Sequence, residues 1–227
     1  MFELLLPKDC IVHTAVPDEC LAVELFAEEQ ALLTARAVDK RRREFAAGRH
    51  CAHQGLAKLT GEPAPVTMHD SRAPHWPAGV VGSITHSADY AAAAVADARQ
   101  IIGIGIDVEQ RRPMEAAICQ RIAQGEELAW IDQGNDPQLH ALLLFSAKES
   151  LHKFLQPLTG QHLGFQDACL TALPDMQGFQ LRFDGPQGEV VVQGRWGFDA
   201  DRVYTAIAPT CRQWALATGE AGRPPSP

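Results

Sequence analysis

The chain has 227 residues, 46% of them apolar, and a formal net charge of −8. That length allows one sizeable domain or two small ones, and the acidic balance argues against a general nucleic-acid binder, which needs a basic surface. The longest apolar runs fall short of a membrane span, and Met1-Phe2-Glu3-Leu4-Leu5-Leu6-Pro7 lacks the basic flank of a signal peptide, so the expected compartment is the cytoplasm.

Residues from about Glu19 to Leu33 read as a helix, with Leu21, Leu25, Leu32 and Leu33 as apolar positions. A second helix is expected from about Asp39 to Leu59. There Val38, Phe45, Ala52, Leu56 and Leu59 recur at helical spacing, and Gly61 and Pro63 then stop it. A proline-rich loop covers residues 62–78. Two strands follow, Val80 to Thr85 and Tyr90 to Ala96. Ile101 to Glu109 reads as a strand with Ile102, Ile104, Ile106 and Val108 on one face and Gly103, Gly105, Asp107 and Glu109 on the other. Glycines inside a strand mark close approach by a ligand or another backbone. A helix is expected from about Met114 to Trp130. Another starts at an Asp136 cap with Pro137 in its first position and runs to about Leu155, ahead of Pro157. Strands near residues 166–173, 178–183, 189–198 and 202–208 complete the order, and residues 219–227 read as a disordered Gly/Pro-rich tail. Each half is helical first and strand-rich second. No sequence repeat is visible, so a duplicated α+β architecture is suggested by element order alone.

Asp107 and Glu109 stand two apart on a strand and so leave one face. Oxygen-only donors at that spacing suit a hard ion such as magnesium; the plainer alternative is a polar strand end in solvent. Glu149 and Lys153 stand four apart on a helix, the spacing of a surface ion pair. Yet Leu142, Phe145, Leu151, Phe154 and Leu155 make most of that helix apolar, and an acid beside a core needs a partner or an ion. Glu149 would complete a set of three carboxylates with Asp107 and Glu109. Gly82-Ser83-Ile84-Thr85-His86-Ser87 ends a strand with a hydroxyl and an imidazole that either donate to phosphate oxygens or form an ordinary turn. Arg42 and Arg49, seven apart on one side of a helix, form with Arg72 either a phosphate clamp or a solvated basic face. No Walker-type loop and no GxGxxG is present, so any phosphate would be held by arginine, histidine and metal. Cysteines at 10, 20, 51, 119, 169 and 211 form no CxxC and read as reduced thiols, and His50-Cys51-Ala52-His53 has no second pair at zinc-ligand spacing.

Gly105-Ile106-Asp107-Val108-Glu109 and Phe145-Ser146-Ala147-Lys148-Glu149-Ser150-Leu151-His152-Lys153 together resemble the paired signature of the 4′-phosphopantetheinyl transferases. The chain looks like the surfactin type and, more narrowly, its siderophore (enterobactin) synthase component D-like branch. Supporting matches are Arg41-Arg42-Arg43-Glu44-Phe45-Ala46-Ala47-Gly48-Arg49, Trp76-Pro77-Ala78 and Gly82-Ser83-Ile84-Thr85-His86; agreement runs from about residue 36 to 155. The resemblance implies a monomer of two similar α/β halves related by a pseudo-twofold axis, with the active site in the cleft between them. The halves would be residues 1–105 and 106–218, ahead of the tail at 219–227.

The resemblance also implies coenzyme A as co-substrate and Mg2+ as cofactor. A carrier-protein serine would attack the β-phosphorus of coenzyme A, take the phosphopantetheine arm and release adenosine 3′,5′-bisphosphate. The implied metal ligands are Asp107, Glu109 and Glu149. Glu149 would take the serine proton, with Lys153 and His86 stabilising charge on the pyrophosphate. Arg42, Arg49, Arg72, Thr85, His86 and Lys153 would contact coenzyme A, and the arginine run at 41–43 leaves open which member takes the 3′-phosphate. Thr85 stands where the family commonly has serine and Arg72 where it commonly has lysine. The implied partners are apo carrier proteins (peptidyl, aryl or acyl), with no nucleic acid and no transmembrane segment. Two other classes fit the same residues: a non-catalytic module that binds coenzyme A or a carrier protein, and a magnesium-dependent coenzyme A phosphohydrolase.

Overall fold

The computed structural model describes residues 1–20, 23–34, 38–160, 162–174 and 177–219. Helix α1 (Phe2–Leu5) and strand β1 (Ile11–Ala15) precede a 3-10 turn (Pro17–Cys20) and a short helix α2 (Ala27–Gln30). The continuous helix expected over residues 19–33 is thus broken, and Leu21 lies outside the described residues. Glu29 supplies the reason. Its buried carboxylate accepts the Phe26 N–H at 3.1 Å, and such an N–H is free only at a helix start.

Helix α3 (Asp39–Thr60) meets its expectation and ends on Gly61, whose φ of 97° suits the left-handed cap. The proline-rich loop holds a small hairpin, β2 (Thr67–Met68) with β3 (Pro74–His75). Strands β4 (Val80–Ser87) and β5 (Tyr90–Asp97) pair antiparallel, and β1 adds to the other side of β5. The alanine run of β5 is buried on both faces. Ala91 and Ala93 meet Ala47, Cys51 and Leu56, whereas Ala92, Ala94 and Ala96 meet Ile104, Ile106 and Val108. Small side chains let α3 lie close on one side of the sheet and the second half on the other.

The second half begins with β6 (Gly105–Gln110) and continues through α4 (Ala116–Ile122), α5 (Glu126–Gln133) and α6 (Pro137–Thr159). Strands β7 (Ala168–Ala172), β8 (Gly178–Gly185), β9 (Gly188–Phe198) and β10 (Arg202–Ile207) and helix α7 (Cys211–Thr218) follow. The five strands form an antiparallel sheet in the order β6-β10-β9-β8-β7. Leu143, Leu151 and Phe154 of α6 share a buried cluster with Phe179, Leu181 and Trp196 of that sheet. The single helix expected over 114–130 is two, because the chain turns at Gly125 (φ 51°) and Glu127 accepts the freed Gln124 N–H at 2.9 Å. Helix α6 starts as expected, Asp136 Oδ1 accepting the Leu139 N–H at 3.0 Å. It then passes Pro157 to end at Thr159, since a proline in the last turn forfeits only one bond.

Elements α1, β1 and α7 were not anticipated. For α7 the signal was present: Thr210 and Gln213 form a reciprocal capping box at 2.8 and 3.2 Å. Of the expected tail, Gly219 caps α7 and residues 220–227 lie outside the described residues.

Both halves thus set a long helix on an antiparallel sheet, the α+β class expected. A repeat absent from the sequence appears among buried hydrogen bonds. Glu29 accepts from Phe26 N–H (3.1 Å), Val66 N–H (2.8 Å) and His53 Nε2 (2.8 Å). Glu127 accepts from Gln124 N–H (2.9 Å), Leu170 N–H (2.6 Å) and Lys148 Nζ (2.8 Å). Each carboxylate caps its own helix, pins the backbone of a later segment and hydrogen-bonds a basic side chain from the long helix.

Candidate active site

The two sheets meet along β4 and β6 through side chains. Ser83 Oγ accepts the Ile106 N–H at 3.2 Å, and Thr85 Oγ1 accepts the Val108 N–H at 3.3 Å. Thr85 Oγ1 also donates to Asp107 Oδ1 (3.3 Å) and accepts from Lys153 Nζ (3.3 Å). One donor and two acceptor positions exhaust a hydroxyl, so Thr85 is fully committed. Lys153, reaching from α6, donates to Asp107 Oδ1 at 2.6 Å and to the Ile106 carbonyl at 3.2 Å. Asp107 is only 4% exposed, and a buried carboxylate needs such company.

Strand periodicity puts Glu109 on the Asp107 face, and the electrostatics place Glu149 nearby. Burial first, then the charges of Asp107 and Glu149, raise the Glu109 carboxyl to about 7, against the pull of Lys153 and Arg112. Burial and then Asp107 raise Glu149 as well. Among the described residues no three His, Cys, Asp or Glu side chains stand together as a ready metal cage. Magnesium, however, often takes only one or two carboxylates and completes its shell with water and substrate phosphate. An all-oxygen set whose members repel one another fits that ion.

In front of Lys153 lies a cleft of about 370 Å³ lined by α3, the β2–β3 hairpin, β4 and α6. Arg41, Arg49, Arg72, His86, His152 and Lys153 bring six basic side chains to it. A larger groove of about 730 Å³, between α1, α7 and the outer sheet face, is lined by one cation, Arg195, and no acidic side chain. Arg49 is 6% exposed, lies over the Phe45 ring at 4.5 Å and donates to the Thr67 carbonyl at 3.5 Å. Arg72 sits at the hairpin tip with φ 69°, a conformation that normally selects glycine. Its N–H donates to the His69 carbonyl at 2.8 Å, and Gln156 of α6 holds the Ser71 carbonyl at 3.3 Å. Burial lowers the His86 imidazole, partly offset by Glu44, whose carboxylate lies 3.7 Å from Nδ1.

Arg42 does not line this cleft; its guanidinium donates to the Thr34 carbonyl at 3.2 Å. Arg41 takes the place expected of Arg42 and reaches His86 Nε2 at 3.5 Å. The stripe Arg41, Glu44, Phe45, Gly48 and Arg49 follows the i, i+3, i+4, i+7, i+8 pattern of one helix face, and the fold turns that face to the cleft. Thr85 lies behind the cleft with Asp107. Gly103 and Gly105 make room for α6 rather than for a ligand: a Cβ on either would press on Phe154, and on Gly105 also on the Ser150 carbonyl.

Three further hydroxyls escaped the sequence reading. Ser146 Oγ donates to Asp107 Oδ2 at 2.8 Å, Thr205 Oγ1 lies 2.9 Å from Ser146 Oγ, and Ser150 Oγ lies 2.7 Å from Thr205 Oγ1. Each hydroxyl has one proton. With Ser146 spending its own on the carboxylate, Thr205 donates to Ser146, while Ser150 has two acceptors for its one proton, Thr205 Oγ1 and the Thr205 carbonyl at 3.2 Å. Lys148, next to Glu149, faces away: it is buried and donates to Glu127, the Ile122 carbonyl and the Phe165 carbonyl at 2.8, 2.8 and 2.7 Å. The six cysteines are free thiols.

Residues 27–96 match the model of the 4′-phosphopantetheinyl transferase N-terminal domain, and residues 103–207 that of the 4′-phosphopantetheinyl transferase superfamily. The chain is 38% identical to 4′-phosphopantetheinyl transferase Svp of Streptomyces mobaraensis, over 92% of this chain and 89% of that protein. It is 37% identical to 4′-phosphopantetheinyl transferase PptT of Mycobacterium tuberculosis, over 79% and 84%. Enterobactin synthase component D of Salmonella typhi matches over a shorter span, 35% identical across 59% of this chain and 56% of that protein; the similarity is thus broader to the first two than to the siderophore branch. With a basic cleft, an acidic strand end and likeness along both halves, the chain belongs to the 4′-phosphopantetheinyl transferase superfamily.

Proposed function

We propose that this 4′-phosphopantetheinyl transferase does its chemistry where the cleft meets the Asp107 strand end. It moves the phosphopantetheine arm of coenzyme A to a serine of an apo carrier protein (peptidyl, aryl or acyl) and releases adenosine 3′,5′-bisphosphate. The observation that carries this reading is Lys153, which lines the cleft while its Nζ stands 2.6 Å from Asp107 Oδ1. One cation thereby touches both the anion-binding space and the acidic cluster.

Arg41, Arg49, Arg72 and His86 would hold the phosphates of coenzyme A, and Lys153 the pyrophosphate. Thr85 keeps Lys153 and Asp107 in register, and Arg42 borders the arginine cluster. Asp107, Glu109 and Glu149 would hold Mg2+, which when bound neutralises charge on the pyrophosphate oxygens. Glu149, with its raised affinity for protons, accepts the serine proton directly or through a water. No described helix is long and apolar enough to cross a membrane. A monomer working in the cytoplasm completes the reading, and the free thiols favour a reducing compartment.

Intact-mass measurement on a peptide-synthetase carrier domain and a fatty-acid-type carrier, each with coenzyme A and magnesium, tests this. At least one carrier should gain the phosphopantetheine mass, and Asp107→Ala and Glu149→Ala should each lower the rate by at least about a hundredfold. Full activity in both variants would remove the assigned roles. Coenzyme A binding with no mass gain would indicate a binding module, and bisphosphate release without carrier a phosphohydrolase.

A further inference from the structure

The two buried carboxylates are copies with one difference. In the second half Lys148 is consumed entirely: its ammonium has three acceptors at 2.8, 2.8 and 2.7 Å, Glu127 among them. In the first half the near donor is His53, at 2.8 Å from Glu29 Oε1, with the Phe26 ring edge-on against it at 4.9 Å. The same oxygen also faces Arg49 Nε, at 3.8 Å. Arg49 and His53 are four apart on α3 and so share a face. Arg49 Nε makes no hydrogen bond although it is buried. Phe45 lies under the guanidinium, and Nη2 meets the Thr67 carbonyl at 3.5 Å.

We propose that Glu29 is a positioning residue for coenzyme A binding: it faces the inner edge of the Arg49 guanidinium and fixes the outer edge toward the cleft. His53 supplies the near partner that Lys148 supplies in the other half, so Arg49 is left as a directed charge and not a closed ion pair. Burial lowers Arg49 only to about 10, with Glu29 working against the loss, so the guanidinium stays charged at neutral pH. The inference rests on the reading that Arg49 binds a phosphate of coenzyme A.

The test is a double-mutant cycle read as coenzyme A affinity by titration calorimetry on the full chain, with KM for the carrier and the melting temperature followed alongside. Glu29→Gln, which keeps the shape and removes the charge, should weaken coenzyme A binding about tenfold in the otherwise native protein, the scale on which losing an orienting partner is felt. In an Arg49→Ala background the same change should cost less than about twofold, because the group it orients is gone. The carrier KM should not move. Equal losses in both backgrounds, or none in either, would overturn the positioning role and leave Arg49 as a phosphate ligand. Unchanged affinity in Arg49→Ala alone would overturn the Arg49 assignment and this inference with it. Should Glu29→Gln not fold, Glu29→Asp keeps the charge but draws it one methylene back from Arg49, and it is read in the same cycle with the same expected pattern.

Discussion

Burial and two neighbouring carboxylates hold the Glu109 carboxyl at about 7, above the ordinary 4.5. Between those values the folded chain keeps a proton that the unfolded chain has lost. Stability is then greatest below the unfolded pKa, falls as pH rises through the folded one and levels off above it. Glu149 is raised for the same first reason and acts in the same direction. In metal-free protein these two carboxyls should therefore contribute a fall in melting temperature between about pH 5 and about pH 8, opposed by His50, His86 and His152, whose burial-lowered imidazoles add stability as pH rises. Glu109→Gln should flatten that fall and melt higher at the alkaline end, by a few degrees. Calorimetry across pH reads this directly, and a variant that melts lower there would contradict it.

At this scale Asp107, Glu109, Glu149 and Lys153 were legible, because strand and helix periods decide which residues leave one face. Arg41 was not singled out, since the run at 41–43 offers three registers until the face of α3 is known. The hydroxyls of Ser146, Ser150 and Thr205 were invisible for another reason: their pairing spans 59 and 55 residues of chain and exists only once α6 lies on β10.

Helix α6 does two jobs with adjacent residues. Glu149 turns toward the acidic cluster, while Lys148 pins α5 and the segment before β7. Removing one partner of a buried pair leaves an uncompensated charge, which costs about 3–5 kcal/mol. Lys148→Ala should lose stability on that scale in urea melts, and any activity lost should follow the folded fraction. A variant of native stability without activity would show that Lys148 belongs to the chemistry. Gly105→Ala tests the strand beneath. Its methyl would overlap the Ser150 carbonyl and Phe154, so the expected cost is about 3 kcal/mol or failure to fold. Long helices α3 and α6 could be read from periodicity and caps. The breaks that create α2 and separate α4 from α5 could not, because they exist to let Glu29 and Glu127 turn inward onto partners far along the chain.

The halves are joined by more than the cleft. Arg202 of β10 donates to Asp89 at 2.6 Å and lies over the Tyr90 ring at 5.4 Å, while Phe2 packs edge-on against Tyr204 at 5.4 Å. Coenzyme A in a cleft lined from both halves should then stabilise the whole chain as one unit, by about 2.7 kcal/mol at a hundredfold excess over its Kd. A single melting transition that moves upward is the expected calorimetric result; two transitions with only one displaced would contradict it. The seam between β4 and β6 has a consequence of its own. A sheet border with unpaired N–H groups invites strands from other molecules. The N–H groups of Ile106 and Val108 are answered instead by Ser83 and Thr85. The first half thus closes the open border of the second, and cutting the chain between them would leave a second-half fragment prone to aggregate.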